Sequence, residues 1–176
     1  MENNELTNEE KLKKAIIYHL KKKTMLNDEN ENKLNELEIF KDKVAFEFKD
    51  GWTDLIYELG KDITELCELT NCKLPMIQQI KEKFGTLRFY YNTLNLQYPP
   101  IVEKSIRALV SIAEIESANI YEVCGKYGET RTNGIVHTSC EKHKLENSMT
   151  LEEHKVLFEK HQNKRKAEKE VPEYLI

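Results

Sequence analysis

Residues 76–92, MIQQIKEKFGTLRFYYN, carry the clearest structural signal in the chain. Met76 to Lys83 reads as extended, and Phe84-Gly85-Thr86 supplies a turn. From Leu87 to Asn92 the residues Leu87, Phe89 and Tyr91 then alternate with Arg88 and Tyr90. Period-two alternation on one arm of a glycine turn is the pattern of a β-hairpin with one face toward a core. The Leu87/Phe89/Tyr91 face is the expected inner one.

Working outward, Val44, Phe46 and Phe48 alternate with Ala45, Glu47 and Lys49, which predicts a strand. Asp50-Gly51 turns the chain. Thr53 is placed to cap a helix with Leu55, Ile56, Leu59, Ile63, Leu66 and Cys67 on one face. Asn71 ends that helix and Pro75 prevents its continuation. After the hairpin, Pro99-Pro100 opens a second long helix with Val102, Ile106, Leu109, Val110 and Ala113 on its buried side. Proline in the first turn is tolerated because its missing N–H would have no partner there. The order strand, helix, hairpin, helix predicts an α+β fold: a small antiparallel sheet with flanking helices, then a turn-rich module and a final helix.

The chain divides into four stretches. Residues 1–43 read as a helical N-terminal extension, 44–120 as the α+β core, 121–145 as a turn-rich module, and 146–176 as a C-terminal helix and tail. In the extension, Thr7 and Glu10 form a capping box ahead of a narrow stripe of Leu12, Ala15, Ile16 and Leu20. Leu34, Leu37 and Phe40 suggest a shorter second helix. Thr150 and Glu153 form another capping box, before a helix running through Lys169.

Composition bounds the function. With 176 residues, 39% hydrophobic and 33% charged, the chain is long enough for one real core with some solvated helix besides. Four cysteines without a dense framework argue against a disulfide-stapled secreted domain. No run approaches the roughly 18 apolar residues of a membrane span, and no signal-peptide core is evident, so the expected location is cytoplasmic. A net charge of −4 gives no support for a mainly nucleic-acid-binding surface. Lysine outnumbers arginine 23 to 4 beside 14 asparagines, a bias that AT-rich genomes produce. There is no phosphate loop, dinucleotide fingerprint, nucleophile elbow or His-Glu-x-x-His motif, so nothing positive points to an enzyme.

The chemistry is concentrated in residues 121–143. Cys124-Gly125 and Cys140-Glu-Lys-His143 resemble two zinc-ribbon knuckles, each a tight turn presenting a ligand. Fifteen residues separate the two cysteines, which suits a hairpin returning to the metal. The usual first knuckle is Cys-x-x-Cys-Gly, and here its first position is Tyr121. Cys124, Cys140 and His143 are therefore the candidate zinc ligands, with His137, Cys67, Cys72 or a water as the fourth. The alternative is a metal-free ribbon in which Tyr121 packs where the ion would sit. A catalytic zinc, or Cys124 as a nucleophile beside His137 or His143, ranks last.

Together, Asp50-Gly51-Trp52, the stretch Ile80–Tyr91, and Cys124-Gly125 with Cys140-x-x-His143 resemble a family of small uncharacterised bacterial and prophage proteins. Its members combine a DGW turn, a KEKFGxLRFY hairpin and a C-terminal CxxCG…CxxH ribbon. The resemblance covers roughly residues 44–143 and departs from the family pattern at Tyr121. It implies a ribbon-like C-terminal module and residence on mobile elements.

Four arginines stand out in so lysine-rich a chain, since guanidinium makes planar contacts that lysine cannot. Arg88, Arg131 and Trp52, with Tyr90 for stacking, would line a pocket for a nucleotide or other anion. Otherwise Arg88 and Arg107 pair with carboxylates such as Glu82 and Glu103, and Arg131 is exposed. Lys160, Lys164, Arg165, Lys166 and Lys169 make a basic helix end, which complements the helix dipole or contacts nucleic acid. The expected function is a non-enzymatic binding protein that sequesters a host or toxin protein. A nucleotide-trapping protein and a nucleic-acid-binding zinc ribbon are the alternatives.

Overall fold

The computed structural model describes residues 25–41, 44–94 and 96–169, the side chains of the last helix only as far as Arg165. The Thr7/Glu10 capping box, the Leu12–Leu20 stripe and the tail from Val171 lie outside the described residues. The fold is α+β, as expected, with four helices and two three-stranded sheets among the described residues. A helix α1 (Asp28–Asn35) leads through a 3-10 turn (Glu38–Phe40) to strand β1 (Ala45–Glu47). Then come α2 (Thr53–Leu69), the hairpin β2 (Met76–Lys83) and β3 (Thr86–Asn92), and α3 (Pro100–Ser117). The last part holds β4 (Glu129–Thr132), β5 (Val136–Ser139), β6 (Met149–Thr150) and α4 (Leu151–Lys169). Among the described residues no helix is long and apolar enough to cross a membrane.

The first sheet has the order β1-β2-β3 and is mixed, not purely antiparallel as expected: β1 pairs parallel with β2, Phe46 facing Ile80. Parallel neighbours need a long crossover, and α2 between them provides it. The hairpin runs antiparallel with Ile80 opposite Phe89. A register shift between Ile77 and Gln79 inserts an extra residue. That bulge lets both Ile77 and Ile80 point inward although they are three apart, which simple alternation would not allow.

Strand β3 is a sheet edge, and α3 covers it. Ser117 Oγ accepts a hydrogen bond from Leu87 N at 2.8 Å, and Glu114 Oε1 accepts one from Phe89 N at 3.1 Å. The outward N–H groups of Leu87 and Phe89, which would otherwise stand unpaired, are thus satisfied by helix side chains.

The core reaches further back along the chain than the hydrophobic pattern indicates. Leu26, Leu34, Ile39 and Phe40, within the stretch read as an extension, are buried with Phe48, Trp52, Ile56, Ile63, Ile80, Leu87 and Ile106. Phe40 packs edge-on against Phe46 and Phe89. It fits because α2 has glycine at position 60: a Cβ there would lie 2.5 Å from the Phe40 ring. The segment is also tied by Asp50, whose Oδ1 accepts from Asn27 N and from Asn30 Nδ2. At the start of α2, Trp52 occupies the cap position. Thr53 is the first helical residue, its hydroxyl donating to Asp50 O at 2.8 Å instead of capping.

Candidate metal centre

The first ligand turn is built by local backbone bonds. Ile120 bridges Tyr127, and Tyr121 N donates to Lys126 O at 2.9 Å. Inside this loop Tyr121 O accepts from Cys124 N at 3.2 Å and from Gly125 N at 2.9 Å. Gly125 closes the turn at φ +69°, a conformation that costs glycine nothing. The second ligand turn follows directly on β5. Cys140 follows the last strand residue and caps a short 3-10 turn, Glu141–His143, which brings His143 N to Cys140 O at 3.0 Å.

The β4–β5 hairpin brings these turns together. Cys124 Sγ lies 3.7 Å from Cys140 Sγ and 3.8 Å from His143 Nδ1, and Cys140 Sγ lies 3.1 Å from His143 Nδ1. A tetrahedral zinc bound at about 2.3 Å to sulfur and about 2.0–2.1 Å to nitrogen sets two sulfurs about 3.8 Å apart and each about 3.6 Å from the nitrogen. Two edges of the triangle come within about 0.2 Å of those of a metal tetrahedron, and the Cys140–His143 edge is about 0.5 Å shorter. Cys124, Cys140 and His143 lie close enough to hold a metal ion, and among the described residues they are the group that does. Burial opposes ionisation of the Cys140 thiol, but its hydrogen bonds with His143 and Cys124 prevail and bring its pKa down to about 7. A thiolate is what a metal requires.

Tyr121, where a zinc-ribbon reading expects a cysteine, sets its ring against that of His143, with centroids 5.4 Å apart. Burial and the neighbouring Glu122, Cys124 and Cys140 raise its pKa, which keeps the phenol protonated. Of the other fourth-ligand candidates, Cys67 is buried in the core and Cys72 packs beside it at the end of α2. His137 Nδ1 sits 3.0 Å from Ile135 O, and its Nε2 is buried with no protein partner. None of the three joins the ligand group.

Two sequence motifs find their physical reason here, because both are sockets for this module. Gly51 N donates to Glu122 O at 2.7 Å, and a Cβ on Gly51 would lie 2.4 Å from both Gly125 N and Tyr121 O. The DGW turn thus touches the Cys124 turn backbone to backbone. Trp52, fully buried, donates its indole N–H to Ile120 O at 2.8 Å, and Lys49 pairs with Glu122 at 3.7 Å. The hairpin turn docks on β5: Thr138 Oγ1 donates to Gly85 O at 2.7 Å, and a Cβ on Gly85 would lie 2.9 Å from backbone atoms of His137 and Thr138. These contacts join residues more than fifty apart, so spacing within each motif carries no sign of them.

The four residues expected to line an anion pocket have separate surroundings. Arg88 folds back onto Thr86 Oγ1 at 2.7 Å and Leu87 O at 2.6 Å. Tyr90 is partly exposed beneath the Lys81 ammonium. Arg131 is buried instead of exposed: it lies on the central strand β4, flanked by β5 and β6, and pairs with Glu129 at 2.7 Å. Arg107 pairs with Glu103 at 2.7 Å, as expected. A cavity of about 230 Å³ beside the ligand triangle is bordered by Trp52, Glu82, Tyr121, Glu122, His137 and His143. Arg88, Tyr90 and Arg131 are not part of its lining. Burial raises the carboxyl pKa of Glu122 in this wall, with Lys49 acting against it. Nothing in the sequence pattern marked Glu82 or Glu122 as cavity residues, since the hairpin turn and the ligand turn meet only in the fold.

Comparison with protein-family models, with curated proteins and with solved structures finds no match for the chain.

Proposed function

We propose that the chain is a non-enzymatic binding protein whose C-terminal module is held by zinc through Cys124, Cys140 and His143. It acts by binding or sequestering a host or toxin protein. The observation that carries this reading is the donor triangle: two sulfurs and one imidazole nitrogen brought within 3.8 Å of one another on two tight turns. Soft thiolate donors beside imidazole favour zinc over magnesium or calcium, which take oxygen ligands. Water supplies the fourth donor, because the Tyr121 phenol stays protonated and packs on the His143 ring. A recognition role is supported by apolar side chains on the outside of the same module, where Tyr127 is 71% and Ile135 76% exposed.

The test has two readouts on untagged protein purified without added metal. The zinc-to-protein ratio is expected near one and lost in Cys140→Ser. A protein partner identified by crosslinking in the cell of origin is expected to be retained by the wild type and lost by Cys140→Ser. Absence of zinc from the wild type refutes the metal, and retention of the partner by the zinc-free variant refutes metal-held recognition.

A further inference from the structure

Charge around the half-open cavity beside the donor triangle is one-sided. Two carboxylates, Glu82 and Glu122, border it, and among the described residues no lysine or arginine does. Lys49 meets Glu122 at 3.7 Å from outside that lining. Glu82 spends one oxygen on Gly85 N at 2.6 Å and has no cation partner among the described residues. The cavity therefore keeps a negative charge in excess.

Polar atoms left over at its border are acceptors too. His137 and Ser139 stand two apart on β5, which puts them on one face of the strand, and both border the cavity. Ser139 is 3% exposed, and its Oγ is buried with no partner in the protein, as is His137 Nε2. Ile135 O, 3.0 Å from His137 Nδ1, can only accept, so Nδ1 carries the hydrogen and Nε2 of the neutral ring presents a lone pair. Buried polar atoms in native folds ordinarily have a partner, so these two point to a ligand.

An anion would meet no positive charge in this lining. A second metal ion does not fit either, because Glu82, Glu122 and His137 do not gather into a metal-sized group as the triangle does. Acceptors spread around a cavity call for a larger cation with several donors. Guanidinium offers five N–H groups in one plane and stacks on aromatic faces, and Trp52 and Tyr121 border the same cavity. We infer that the cavity binds a guanidinium group, held by the carboxylates of Glu82 and Glu122, with Ser139 Oγ and His137 Nε2 as further acceptors. Its volume, below that of a drug-sized site, suits the head and a short alkyl stem. The inference needs no bound metal, since neither thiol of the triangle borders the cavity.

The experiment titrates the full chain with butylguanidinium and, in parallel, with butylurea, its neutral isostere. Trp52, the single tryptophan of the chain, reports occupancy by fluorescence, and calorimetry gives the stoichiometry. Butylguanidinium is expected to bind one to one with a Kd on the order of 1 mM, about tenfold or more tighter than butylurea. Glu82→Gln and Glu122→Gln should each weaken it about tenfold, because a charge-assisted hydrogen bond becomes a neutral one. Ser139→Ala should weaken it about threefold and keep the fold, since the hydroxyl it removes has no partner in the protein. N-acetylargininamide serves as a third probe. Binding as tight as that of butylguanidinium supports the site with an arginine side chain as its source, and weaker binding supports it with a free guanidine. No saturable binding of butylguanidinium overturns the inference, as does equal affinity for butylurea. Affinity unchanged in all three variants overturns it by placing the binding elsewhere.

Discussion

Replacing Gly51 by alanine tests the contact between the DGW turn and the Cys124 turn most directly. The added Cβ would lie 2.4 Å from Gly125 N, 2.4 Å from Tyr121 O and 2.7 Å from Glu122 O. All three are backbone atoms, so no side chain can rotate away. Restoring ordinary contact distances means moving the two segments apart by about 1 Å, and the 2.7 Å bond from Gly51 N to Glu122 O then leaves hydrogen-bonding range. Overpacking of this kind costs about 1–3 kcal/mol and the lost hydrogen bond about 1 more, so a destabilisation of about 2–4 kcal/mol is expected. Displacement of the Tyr121–Gly125 loop also moves Cys124 relative to Cys140 and His143. Urea unfolding should therefore show a lower midpoint, and zinc loaded onto the protein should be lost to a chelator faster from the variant. An unchanged midpoint together with unchanged metal retention would refute the argument, because the two turns would then not be in backbone contact.

Two further expectations follow from single contacts. Ser117→Ala strips the buried Leu87 N–H of its acceptor, so it should destabilise by about 1–3 kcal/mol and speed amide exchange at Leu87; an exchange rate equal to the wild type would show that the edge is not sealed by α3. The capping box at the start of α4 is pH-dependent: hydrogen bonds from the Thr150 backbone and hydroxyl hold the Glu153 carboxyl below its ordinary 4.5. A depressed folded pKa means the cap contributes fully above that ordinary value and is lost as pH falls through the folded one. The protection factor of the Thr150 amide, the intrinsic exchange rate divided by the observed one, should fall on acidification across that window in the wild type, while in Glu153→Gln it should show no such step.

The hairpin, the two long helices and the Thr150/Glu153 cap were legible in the sequence because each is decided within a few residues. Alternation along Leu87–Tyr91, the turn at Gly85 and the stripe Ile56/Leu59/Ile63 report local geometry, and local geometry is what periodicity encodes. The two turns that carry the candidate ligands were legible for the same reason, since Cys124-Gly125 and Cys140-x-x-His143 are tight turns with their own backbone requirements. What spacing left open was whether the two turns meet, and that is decided by the β4–β5 register, with Arg131 opposite His137.

Tertiary structure alone decided the rest. The parallel partner of β2, the enclosure of Phe40 beside Gly60 and the burial of Arg131 depend on segments far apart in the chain. So does the meaning of the two glycine motifs, which read as turns in sequence and act as sockets in space. Asp50-Gly51-Trp52 and Phe84-Gly85 lack a Cβ where the backbone of residues 121–138 arrives. A turn's own conformation is written in its residues, whereas a close approach between two backbones exists only once both are folded, and it appears in the sequence only as a glycine with no stated reason.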